Sequence, residues 1–333
     1  MHTDSRGRSL PNRCGRSSCC ALALAPVAEC LPAAPCKGDG TFQPEWQFPS
    51  GPNPVGIAAA DFLGDGKVDL AIVGQMQKPN QGTLAIVYDA FAPSAATTAT
   101  ATVISSANAN ATAIAPGSLA SGYGADLATS SPGSTTLPLP VSDAGTSVSI
   151  ADSSGKKTAA PLVYVSTAQV NFYVPPGIAS GSATVTITSG DGTQSAATVQ
   201  IAPVAPGLFE LNSSALAAAE VLLVSGSSQT YEQVYTVNSS GAIVAAPVSL
   251  GTGGTVAYLL LYGTGLQAAG TSGVAVTLNG APATVAYAGP QGSFTGLDQV
   301  NVLLPASLAG KGNVTVQLTA NGIAANPVNV TIR

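Results

Sequence analysis

Histidine and cysteine are nearly absent from this chain. The one histidine is His2, and the five cysteines (Cys14, Cys19, Cys20, Cys30, Cys36) all precede the first strand-like segment. Everything after Cys36 therefore lacks the imidazole of a Ser-His-Asp site and the thiol of a cysteine nucleophile. It also lacks disulfide staples and the usual zinc ligands. Charge is scarce as well, at 8% of residues against roughly 25% in an ordinary globular domain. The cations are unevenly spread. Arg6, Arg8, Arg13, Arg16 and Lys37 lie at the start, and only Lys67, Lys78, Lys156, Lys157, Lys311 and Arg333 follow. No basic stripe is available to neutralise phosphates, which excludes nucleic acid as a partner. No apolar run approaches the ~20 residues of a membrane-spanning helix. A glycine-rich phosphate loop followed by Lys-Ser/Thr is missing too.

What the chain does have is 37 glycines, 24 prolines and an excess of Ala, Val, Thr and Ser. Small and β-branched residues between frequent Gly/Pro breaks suit a pleated surface crossed by tight turns, so the expected fold class is all-β. A surface covered by Ser, Thr, Asn and Gln suits an extracellular or cell-surface location. Residues 1–37 differ from the rest: arginines come first, then the short apolar stretch CCALALAPVA at Cys19–Ala28. That order fits a degenerate secretory signal, a disordered leader or an upstream extension. Glu29 excludes a lipoprotein signal at Cys30, because a small residue is needed there.

The segment 38–91 carries the sharpest motif, Asp61-Phe62-Leu63-Gly64-Asp65-Gly66-Lys67-Val68-Asp69, followed by the apolar run Leu70–Val73. Asp61, Asp65 and Asp69, with the Lys67 carbonyl, can converge on one hard cation, the oxygen-rich geometry that calcium prefers. The other reading is an acidic turn held by side-chain-to-backbone hydrogen bonds. These residues resemble the FG-GAP/VCBS repeat, a blade unit of calcium-bearing β-propellers, whose pattern is met at Asp61, Phe62, Gly64, Asp65, Gly66, Asp69 and Leu70. Leu63 departs from it where the family supplies an oxygen ligand, which implies a weak site. The repeat occurs once, and a single blade cannot close a ring, so a complete propeller is excluded. Residues 92–100 read as a linker.

Beyond the linker the chain repeats itself in order. Gln169-Val170-Asn171 is matched by Gln299-Val300-Asn301, Ala183–Ile187 by Val314–Leu318, and Val199–Ile201 by Val330–Ile332. Upstream, Tyr123-Gly124-Ala125-Asp126-Leu127 is matched by Tyr262-Gly263-Thr264-Gly265-Leu266. Each copy offers short alternating strands between Gly/Pro/Asn/Asp turns, which predicts two tandem immunoglobulin-like sandwiches at 101–204 and 205–333. In combination with Ala115-Pro116-Gly117-Ser118 and Ala205-Pro206-Gly207-Leu208-Phe209, these motifs resemble the Solibacter-type C-terminal domain of secreted bacterial proteins. Each half is also similar to IPT/TIG immunoglobulin-like modules. The resemblance implies no catalytic residue.

A carboxylate pair for glycoside hydrolysis could be drawn only from residues such as Asp126, Asp143, Asp152, Glu210 and Asp298, which sit near turns where capping is the competing role. The Gln-Val-Asn motif could present amides to a sugar or tie strand to loop, and its duplication favours the fold role. Tyr231, Tyr235, Tyr258 and Tyr262 form either a sugar-stacking face or core and edge packing. The reading that emerges is a non-catalytic structural, adhesive or surface-display module of an exported bacterial protein, with an extracellular glycan or cell-surface protein as partner. The alternative is a carbohydrate-binding accessory region of an extracellular enzyme.

Overall fold

The structure, a computed structural model, describes residues 54–60, 62, 69–75, 82–87, 99–111, 113–134 and 136–333, with the course of three short strands before them. The chain divides into two compact units, Met1–Ala96 and Thr97–Arg333. It is an all-β protein of several separate sheets; the one α-helix among the described residues is a single turn, Gly270–Gly273. Among the described residues no helix is long and apolar enough to cross a membrane.

Among the described residues the first unit holds two antiparallel three-stranded sheets. One is built from Cys20–Leu22, Cys30–Pro35 and Trp46–Pro49. Two of its strands fall within residues 1–37, where a leader without strands was expected. Those uncharged runs show no alternation to mark them, and pairing along their length is what makes them strands. The other sheet is a meander of Pro54–Ala60, Asp69–Gln75 and Gly82–Val87, with Asp69–Gln75 central. Leu70 and Ile72 are fully buried on one face of that strand, as period-two alternation requires.

The second unit contains two sandwiches, each with its own hydrophobic core. In the first, one sheet runs Thr102–Ser105, Leu119–Tyr123, Gln169–Tyr173, Leu162–Val165 and Gly133–Ser134 in spatial order. The facing sheet runs Ser142–Asp143, Thr146–Ala151, Gly181–Thr188 and Gln194–Ile201. Ala99–Thr100, at the end of the stretch read as linker, and Ala113–Ile114 both pair parallel with Gln194–Ile201. Val170 and Phe172 from one sheet meet Val148, Ile150, Val185 and Ile187 from the other in one buried cluster. A Cβ at Gly122 would lie 2.6 Å from Ile187 Cδ1, so a glycine is what lets the sheets approach there.

The second sandwich has the same order. Ala219–Ser225, Val256–Thr264, Asp298–Leu304 and Val285–Pro290 make one sheet, extended by Ser228–Gln233. Val274–Leu278, Gly312–Ala320 and Val328–Ile332 make the core of the other. In both copies the Gln-Val-Asn strand is hydrogen-bonded on one side to the strand that ends in Tyr-Gly. On its other side lies a strand whose register shifts once, at Leu162/Tyr164 and at Val285/Tyr287. The return strand of the second copy is broken into Ile323–Ala324 and Val328–Ile332, with Pro327 in the break. Proline has no N–H for the ladder, which accounts for the interruption.

The repeated Tyr-Gly-x-x-Leu motif has a backbone cause. Asp126 (φ 54°) and Gly265 (φ 78°) occupy the same place and both are left-handed. Glycine takes that conformation freely, and aspartate is among the few other residues that tolerate it. At Gly265 a Cβ would sit 2.2 Å from the Ala205 carbonyl oxygen, so only the second copy also lacks room.

Candidate functional site

Of the calcium-type ligands, Asp61, Asp65 and Lys67 lie outside the described residues. Asp69 opens its strand and is fully buried, and its Oδ2 accepts the Phe62 N–H at 2.9 Å. That bond is one carboxylate-to-backbone contact of the kind the acidic-turn reading expects, and residues 63–68 between its partners lie outside the described residues. Among the described residues no group of three or more His, Cys, Asp or Glu side chains could hold a metal ion.

The five carboxylates considered for hydrolysis have local surroundings of their own. Asp126 is exposed in its left-handed turn, and Asp143 is half-buried beside a tight turn through Ala144 and Gly145. Asp152 organises the turn that follows its strand. Its Oδ1 accepts from the Ser154 amide at 3.0 Å, the Ser154 hydroxyl at 2.6 Å and the Lys156 amide at 3.2 Å, and its Oδ2 from the Ala179 amide at 3.0 Å. The Ser154 hydroxyl first, then the Ala179 amide, hold its carboxyl down at about 2. Glu210 is exposed and accepts from Asn326 Nδ2 at 2.7 Å. Asp298 is fully buried at the start of its Gln-Val-Asn strand.

Asp298 belongs to a polar junction between the sandwiches. Its Oδ2 accepts the Leu266 N–H at 2.7 Å, whereas its Oδ1 has no hydrogen-bond partner. Burial pushes its carboxyl up to about 6, opposed by the Leu266 amide and, less strongly, by the neighbouring Gln267 side chain and Gly265 amide. Two residues away in the turn, buried Thr264 accepts the Leu119 N–H of the first sandwich at 2.8 Å and donates to the Gly296 carbonyl at 2.7 Å. Gln267 Nε2 donates to the Gly117 carbonyl at 3.2 Å. Tyr173 of the first sandwich is raised above its ordinary range by burial and then by the nearby Asp298 charge. Nearby, a cleft of about 330 Å³ includes Asn108, Val204, Pro206 and Ile323 in its lining and has no ionisable side chain there.

The outer face of the sheet that holds each Gln-Val-Asn strand carries a second constellation. On the Gln-Val-Asn strands Val170 and Val300 point into the cores, so Gln and Asn point outward. Gln169 Nε2 donates to Asn171 Oδ1 at 2.8 Å, and Gln299 Nε2 to Asn301 Oδ1 at 2.7 Å. Tyr123 stands opposite Gln169 and Tyr164 opposite Asn171. In the second copy Tyr262 stands opposite Gln299 and Tyr287 opposite Asn301. Each sandwich thus presents an amide pair flanked by two tyrosines. Gln Oε1 and Asn Nδ2 of both pairs have no protein partner among the described residues. Tyr123 is 40% and Tyr287 38% exposed. Tyr262 donates to Glu220 Oε1 at 2.5 Å; burial first, then this bond, raises its phenol well above the ordinary range.

Of the tyrosines singled out in the sequence, Tyr231 and Tyr258 are in register across Leu222 on the outer face of the second sandwich's larger sheet, and Tyr262 lies four residues beyond Tyr258 on the same face. Tyr235 does not join them; it lies in a separate two-stranded ribbon with Ile243–Ala245. Tyr164 and Tyr287 escaped sequence reading because they are two residues from buried Leu162 and half-buried Val285, which places them on the core side by simple alternation. The register shift turns them outward. No protein-family model matches the chain, and no curated protein matches it.

Proposed function

We propose that this chain is a non-catalytic attachment or surface-display module of an exported bacterial protein. Its likenesses to the Solibacter-type C-terminal domain, to IPT/TIG modules and to a single FG-GAP/VCBS repeat, as read from its motifs, belong to this proposal, as does weak calcium binding at Asp61, Asp65, Asp69 and the Lys67 carbonyl. The observation that carries the reading is the junction. Buried Thr264 bonds to Leu119 of the first sandwich and to Gly296 of its own, so two separate cores are joined through groups that have left water. Buried polar groups that find partners fix geometry, and a fixed spacing between two faces is what a display module requires.

A carbohydrate-binding accessory region is the second reading, favoured by the outward glutamine oxygens and asparagine nitrogens that have no protein partner among the described residues. The deciding experiment pairs an activity screen over glycans, esters and peptides with adhesion of beads coated with the purified chain to bacterial and host cells. Cell or matrix adhesion without turnover supports the module. Turnover abolished by replacing one of Asp126, Asp152, Glu210 or Asp298 overturns it.

A further inference from the structure

We infer that the outer sheet faces centred on Gln169–Asn171 and Gln299–Asn301 are two equivalent binding sites for a neutral polysaccharide. The inference rests on the second reading above and locates it on named atoms. Within each pair one amide N–H satisfies one amide oxygen, which leaves the glutamine oxygen as an acceptor and the asparagine nitrogen as a donor. Adjacent sugar hydroxyls offer both a donor and an acceptor, so one hydroxyl pair meets both amide groups at once. The flanking tyrosines supply flat apolar surface with a polar rim, suited to the C–H face of a pyranose ring.

Charge narrows the ligand class. Tyr123, Tyr164, Gln169 and Asn171 are all uncharged, as are Tyr262, Tyr287, Gln299 and Asn301. Glu220, the carboxylate beside the second site, is engaged by the Tyr262 hydroxyl. A polyanion at either site, or a polycation at the first, would lose solvation with no opposite charge to offset it, whereas an uncharged polyol exchanges hydrogen bonds one for one. Duplication then fits a ligand that repeats. A fold role for the amides accounts for their mutual bond but leaves the outward acceptor and donor unused.

The test is affinity electrophoresis of the full chain in gels containing hydroxyethyl cellulose, xylan, laminarin, mannan or pullulan, with polygalacturonate as the charged control. Calorimetry follows on any polymer that retards the chain. We expect retardation by at least one neutral polymer and none by polygalacturonate. Gln169→Ala or Gln299→Ala alone weakens binding about tenfold, the loss of one well-placed hydrogen-bond group, and the double variant abolishes it. Tyr123→Ala and Tyr287→Ala, at half-exposed positions that leave the cores intact, give the same ordering should the amide variants fail to fold. Binding undiminished in the folded double variants overturns this site while leaving a carbohydrate-binding role elsewhere on the chain. Failure of every neutral polymer to retard the parent chain overturns both.

Discussion

Asp298→Asn is the substitution whose effect follows most directly from the structure. The carboxyl is fully buried, with one oxygen on the Leu266 amide and the other without a partner, and its pKa stands at about 6 against an ordinary 3.8. Between about pH 4 and 6 the folded chain holds a proton that the unfolded chain releases. Stability from this group is therefore full below about pH 4 and is lost as pH rises through about 6. A displacement of about two units at 1.36 kcal/mol each amounts to roughly 3 kcal/mol. Asparagine keeps an acceptor for the Leu266 amide and carries no charge, so the variant should gain up to about 3 kcal/mol at pH 7 and lose the dependence. Urea titrations followed by tyrosine emission at pH 4, 5, 6 and 7 read this directly. Parallel pH curves for parent and variant would refute the reasoning, since burial of the charge would then cost nothing.

The acid side is governed by Asp152. Its lowered carboxyl stabilises the fold above about 3.8, and that contribution is lost as pH falls through about 2; acid unfolding of Asp152→Ala below pH 4 should be less steep than in the parent, and an equal slope would count against the turn. Gly265→Ala should cost more than about 2 kcal/mol, because strain at positive φ adds to a clash with the Ala205 carbonyl. Asp126→Gly at the equivalent place should change stability by less than about 1 kcal/mol, and thermal melts that rank the two the other way would sink the equivalence. Calcium titration calorimetry should find a weak site that Leu63→Asn tightens and Asp65→Ala removes; equal affinity in all three forms would show that the loop is not the site.

The repeat was legible because strand positions leave marks in sequence. Val185 and Ile187 alternate with threonines in the chain and alternate between core and surface in the sheet. The left-handed turn was half legible: a glycine at 265 announces it, whereas Asp126 meets the same backbone demand without looking like glycine. Tyr164 and Tyr287 were hidden by single-residue register shifts, which reverse every parity-based assignment beyond them. The junction was hidden for another reason. Thr264 and Asp298 look like ordinary turn residues until partners far along the chain, Leu119 among them, are brought beside them. Such contacts have no period, and a repeat describes what the two halves share rather than where they meet.

The parallel pairing in the first sandwich has a mechanical consequence. Ala99–Thr100 and Ala113–Ile114 run alongside Gln194–Ile201 in the same direction. Tension applied between the entry to this sandwich and its exit would pull these strands past one another along their length. The hydrogen bonds of each contact would then share the load and give way together, whereas a hairpin pulled open at its ends yields one rung at a time. The two contacts sit at separate heights, the outer at Ser195–Ala196 and the inner at Gln200–Ile201. The outer can slip while the inner still holds the core closed, giving the chain a first yield point that lengthens it without unfolding it.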